Sequence, residues 1–214
     1  MSATEAPAAP PSAVHLGEAE GDERLALHTE AGTIEALHHP AEYGDAAVLW
    51  LPLGGPADGT FTRLGPRVAR HGIVSLGIGW RYPDAAVPCL VDALFALAWL
   101  LGAGRRRIAL VGHGFSGSVA IAAGAAVPRS VAGVAVLAPK GPGCAEVHQL
   151  APRHLLLAHG LADEVVPPDA SRALHRQAGE QRRLILYPAC GHDFAACRAA
   201  VARDLTAWLG EVLD

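Results

Sequence analysis

Apolar and polar positions change their rhythm near residue 40 of the chain. Before it, "RLALHTEAG" and "TIEALHHP" alternate apolar with polar residues on either side of Ala31-Gly32, the period-two pattern of a half-buried hairpin at a sheet edge. The pair His38-His39 falls at the end of the second arm and is expected to be solvated. Beyond it, "AAVLWLPL", "GIVSLGIG", "RRIALVGH", "VAGVAVLAP", "HLLLAHG" and "RRLILYP" are short, nearly continuous apolar runs, which suit strands covered on both faces. Segments with helical spacing separate them, at residues 61–71, 85–101, 115–127, 168–178 and 196–212. This alternation predicts an α/β fold, a mostly parallel twisted sheet with helices on both faces and right-handed crossovers. Functional groups in such folds gather in loops at the carboxyl ends of the strands. The connection between "VLAPK" and "HLLLAHG" is too short to hold a helical cap domain.

Length and composition narrow the picture. With 214 residues, 51% of them hydrophobic, the chain fits one well-buried domain better than two. Residues 1–23, rich in Ala, Pro and Glu, read as a disordered tail, leaving 24–214 as the folded domain. That tail lacks the basic start and apolar core of a signal peptide, so a cytoplasmic location is expected by default. The longest apolar run, residues 90–101, contains Asp92 and falls short of the ~20 residues that span a bilayer. The formal net charge of -4 supplies no basic field for nucleic acid or anionic lipid. Expected partners are therefore a small-molecule substrate or ligand, for a monomer or homodimer. Cys89, Cys144, Cys190 and Cys197 form no C-x-x-C pair and read as reduced, mostly buried thiols.

Three stretches at predicted strand ends carry the chemistry: "GHGFSGS" at residues 112–118, "HGLADEVVPP" at 159–168 and "CGHDF" at 190–194. Together they resemble the α/β-hydrolase superfamily, in particular its small capless members similar to dienelactone hydrolases. The resemblance runs from about Leu25 to the end of the chain. It implies a G-x-S-x-G elbow carrying a nucleophile, followed in chain order by an acid and a histidine. Asp163 matches the acid and His192 the base, with Asp163 fixing the tautomer of His192 and stabilising its imidazolium. The elbow departs from the pattern. In one register Gly114 stands at the nucleophile position, and Gly117 and Ala120 fall on the small positions of the following helix. In the other, Ser116 is a displaced nucleophile. Where Gly114 holds the apex, Ser116 needs no role beyond a small helix-capping residue. The resemblance further implies an oxyanion hole built from the backbone N–H of Phe115 and another at Leu53 or Gly54.

Around this core, Trp80, Tyr82 and Phe194 are candidates for an apolar pocket wall, His113 for a substrate contact, and Arg81 for a carboxylate anchor through its planar guanidinium, against the plainer reading of a salt bridge. His113, His159 and His192 with Asp163 invite a metal reading. The acid-histidine pattern already accounts for these positions and no H-E-x-x-H helix is present, so neither metal nor cofactor is expected. Three functions fit: non-covalent acid/base chemistry by His192 (hydrolase, lyase, isomerase or cyclase), a serine esterase using Ser116, or a non-catalytic binding protein.

Overall fold

The computed structural model describes residues 11–19, 22–52, 64–83 and 85–214. Among the described residues, nine strands form one sheet: β1 (Ser12–Ala19), β2 (Asp22–Thr29), β3 (Gly32–His39), β4 (Ala46–Trp50), β5 (Ile73–Ile78), β6 (Arg107–His113), β7 (Val131–Leu137), β8 (His154–Gly160) and β9 (Arg182–Tyr187). Their spatial order is β1-β2-β3-β5-β4-β6-β7-β8-β9. The first three strands and the β3–β5 pair run antiparallel. From β5 through β4 to β9 every pairing is parallel. The winding reverses beside β4, where β5 lies on one side and β6 on the other. Such a reversal opens a crevice at the carboxyl ends of the strands.

The near-continuous apolar runs make sense because both faces of the sheet are covered. Along β4, Ala47 and Leu49 point into one core and Ala46, Val48 and Trp50 into the other. Along β6, Ile108 and Leu110 alternate with Ala109 and Val111 in the same way. The first core is roofed by α2 (Ala86–Gly102), α3 (Gly114–Ala126), α4 (Asp169–Gln177) and a 3-10 helix over Pro142–Leu150. The second is closed by α1 (Gly65–Ala69) and α5 (Arg198–Leu213). The 3-10 helix occupies the β7–β8 connection, where a cap would be inserted. Among the described residues, no helix is long and apolar enough to cross a membrane.

Three expectations need correction. Residues 12–19, which composition assigns to a disordered tail, form an edge strand paired along β2. His38 and His39 are not solvated: their Nδ1 atoms lie 2.7 Å from Glu23 and 2.6 Å from Asp22 on β2, and His39 is buried. Cys190 and Cys197 are joined in a disulfide, whereas Cys89 and Cys144 are not disulfide-bonded.

Candidate active site

Strand β6 breaks into α3 between His113 and Gly114, and the local glycines explain how so sharp a turn is possible. A Cβ on Gly112 would lie 2.4 Å from the carbonyl oxygen of Ser116, so only glycine lets strand and helix approach this closely. Gly114 itself has φ +53°, the left-handed region that L side chains adopt at a cost and that strained functional turns exploit. Among the described residues, a Cβ built there would meet His192, at 3.7 Å from Nε2 and 3.9 Å from Cε1. The Cβ position of Gly114 thus faces an imidazole at ordinary contact distance. Phe115 follows as the second residue of α3, where backbone N–H groups have no partner within the helix. Leu53 and Gly54, expected to supply the other oxyanion donor, lie outside the described residues.

His192 and Asp163 come together from loops after β9 and β8. Nδ1 of His192 donates to Oδ2 of Asp163 at 2.8 Å, which leaves Nε2 turned toward Gly114. Oδ1 accepts the backbone N–H groups of Val165 and Val166, each at 2.8 Å. Burial works against charge on Asp163, yet the N–H of Val166, the His192 ring and the N–H of Val165 outweigh it and hold the carboxyl below its ordinary range. A depressed folded-state value means that Asp163 adds stability above its unfolded value, near pH 4, and loses that contribution as pH falls through the folded value. Asp163→Asn should therefore show a flatter stability profile than the parent chain between about pH 5 and pH 2, read from urea midpoints.

The remaining candidates divide. His113 stays at the centre: its Nε2 donates to the carbonyl of His192 at 2.8 Å, and the two rings sit 4.5 Å apart. Phe194, expected to line a pocket, is 1% exposed instead. Its ring packs edge-on against His113 at 5.7 Å and Tyr187 at 6.1 Å, propping the His192 loop from below. That loop is closed at its ends by the Cys190–Cys197 disulfide. Arg81 makes the salt bridge of the plainer reading. Its guanidinium pairs with the fully buried Asp92 of α2, Nε to Oδ1 at 2.7 Å, and its backbone N–H reaches Oδ2 at 3.0 Å. Tyr82 is 58% exposed, a surface residue rather than a wall.

Ser116 is neither exposed nor a helix cap. Its hydroxyl is buried, donates to the carbonyl of Pro52 and accepts from Nε1 of Trp80 at 3.1 Å. Three strand ends, after β4, β5 and β6, are joined through this one side chain, and Trp80 is thereby engaged. Sequence reading also missed His159 as a support of Asp163. It is fully buried, with Nε2 3.2 Å from Oδ2 of Asp163. The signal was present as a histidine four positions before the acid. An open groove of about 400 Å³ runs between the start of α2, the outer face of α3 and the 3-10 helix. Val87, Leu90, Val119, Ala122 and Glu146 line it, whereas Gly114, Asp163 and His192 do not.

No protein-family model matches the sequence, and no curated protein matches it. Solved structures do. The dienelactone hydrolase from Anabaena variabilis superposes with a TM-score of 0.79 at 15% identity, over 95% of this chain and 99% of that one. Est1E from Butyrivibrio proteoclasticus gives 0.78 at 13% identity, covering 88% and 98%. A lidless α/β serine hydrolase from Xanthomonas campestris gives 0.69 at 17%, covering 91% and 94%. At these identities the likeness is one of fold. The chain has the single-domain α/β-hydrolase fold, and its described residues form no cap.

Proposed function

We propose that this chain is an enzyme of the ester- or lactone-hydrolase class that works without a covalent intermediate. His192 serves as general base toward a water held in the space beside Gly114. As Nε2 takes one proton, the water oxygen bonds to the substrate carbonyl carbon, and the carbonyl oxygen becomes an oxyanion directed at the N–H of Phe115. The bond from carbon to the leaving oxygen then breaks, and the imidazolium returns its proton to that oxygen. One water is consumed, and an acid and an alcohol are formed, or a hydroxy acid from a lactone. Asp163 keeps the ring in the tautomer that exposes an unprotonated Nε2 and stabilises the imidazolium.

The observation that carries this reading is the missing side chain at Gly114, whose Cβ position faces Nε2 of His192 at 3.7 Å. The engagement of Ser116 with Pro52 and Trp80 weighs against its use as a nucleophile. Est1E is known with ferulic acid bound, which makes small aromatic esters sensible first probes beside aliphatic esters and lactones. General-base catalysis contributes roughly 10² to 10⁴ in rate. Turnover of the best substrate in such a panel should fall by about 10² or more in His192→Ala, with the circular dichroism spectrum unchanged. An unaltered rate in that variant would remove His192 from the chemistry. A parent chain that binds such esters but turns none of them over would leave a binding protein.

A further inference from the structure

Behind the Asp163–His192 pair lies a polar cluster for which the acid/base reading has no use. His159, on β8, has 0% side-chain exposure. Its Nε2 lies 2.9 Å from the carbonyl oxygen of Val166 and 3.2 Å from Oδ2 of Asp163. Both are acceptors, so Nε2 carries the proton. Nδ1 lies 2.7 Å from Oγ of Ser171, on α4. In the neutral ring Nδ1 is then an acceptor, and the Ser171 hydroxyl donates to it. Every polar atom of this buried imidazole is satisfied in one orientation and one tautomer.

The consequence reaches Asp163. Val166 holds Oδ1 of Asp163 through its N–H and is itself held through its carbonyl by His159. The turn that presents the carboxylate is thereby fastened to β8 and α4 as well as to its own backbone. We propose that His159, locked by Ser171, is a positioning residue: it fixes the Val166 turn and the Asp163 carboxylate so that Oδ2 meets Nδ1 of His192. Two histidines approach one carboxylate oxygen with different duties, the buried one structural and the outer one, facing Gly114, chemical.

This inference deepens the acid/base reading of the site, but its test needs no turnover. In protein carrying ¹⁵N-labelled histidine, the hydrogen-bonded Nδ1–H of His192 is expected as a downfield proton resonance, assigned by its loss in His192→Ala. His159 is expected to show a proton on Nε2, the nitrogen that faces two acceptors. In His159→Phe, the His192 proton should move upfield, broaden and exchange with solvent about tenfold faster, while the backbone amide spectrum stays dispersed. His159→Gln, whose carboxamide can again donate to the Val166 carbonyl, should recover much of the parent signal. Ser171→Ala gives a milder, volume-sparing perturbation in the same direction, and it decides the matter if the phenylalanine variant does not fold. A His192 resonance unmoved in these variants would overturn the proposal. So would a downfield move, which would make His159 a competitor for Oδ2. If His192→Ala leaves hydrolysis intact, the acid/base reading fails while this result stands.

Discussion

Gly114→Ser should convert the protein into a fluorophosphonate-reactive esterase. The parent chain is expected to take up no label, because Ser116, the hydroxyl two positions on, is buried against Pro52 and Trp80. The serine Cβ would stand 3.7 Å from Nε2 of His192, leaving its Oγ a short rotation from the base. A restored nucleophile should raise ester hydrolysis by about 10² or more, since a triad member removed from a working serine hydrolase costs considerably more than that. The backbone opposes the change mildly. A side chain at φ +53° costs about 1–2 kcal/mol, which a slightly lower urea midpoint would register. Intact mass and peptide mapping should find one adduct, at position 114. A folded variant that takes no label would mean that His192 and the elbow are not in register for nucleophilic catalysis.

The second large effect belongs to a buried ion pair with no part in the proposed chemistry. Asp92 is completely buried inside an apolar helix and compensates the guanidinium of Arg81, which is itself only 10% exposed. Removing one partner of such a pair strands the other charge and costs about 3–5 kcal/mol, a large part of the 5–15 kcal/mol that stabilises a typical domain. Asp92→Ala should shift the urea midpoint accordingly or leave the chain unfolded at 37 °C. The double replacement Arg81→Met with Asp92→Leu removes both charges and should recover most of the loss. A loss below about 1 kcal/mol in Asp92→Ala would show that solvent reaches the guanidinium.

These two predictions also mark where the sequence was legible. Strands β2 to β9 announced themselves because each is covered on one face or both, and burial writes period two or an apolar run into the residues. Strand β1 did not. Its Val14 and Leu16 remain 48% and 55% exposed, so burial imposed no pattern on a stretch whose composition looks disordered. Asp163 and His192 were named through the resemblance of short stretches in chain order, and the structure sets them 2.8 Å apart, whereas the sequence left the elbow open between Gly114 and Ser116. Arg81 and Asp92 were harder. They stand eleven positions apart, and the clue was a single carboxylate in an otherwise apolar helix. The Cys190–Cys197 bond was invisible for a related reason: a spacing of seven residues says nothing about distance until the loop between them is folded.

That bond alters how the carboxyl-terminal helix is connected to the sheet. Residues 190–197 form a covalent ring carrying His192 and Phe194, and α5 begins at the next residue. Tension applied to the chain end, by a tethered domain or by fraying of α5, passes from Cys197 to Cys190 across the two sulfurs. The six residues between them are off the load path, so α5 can be tugged without drawing the imidazole out of place.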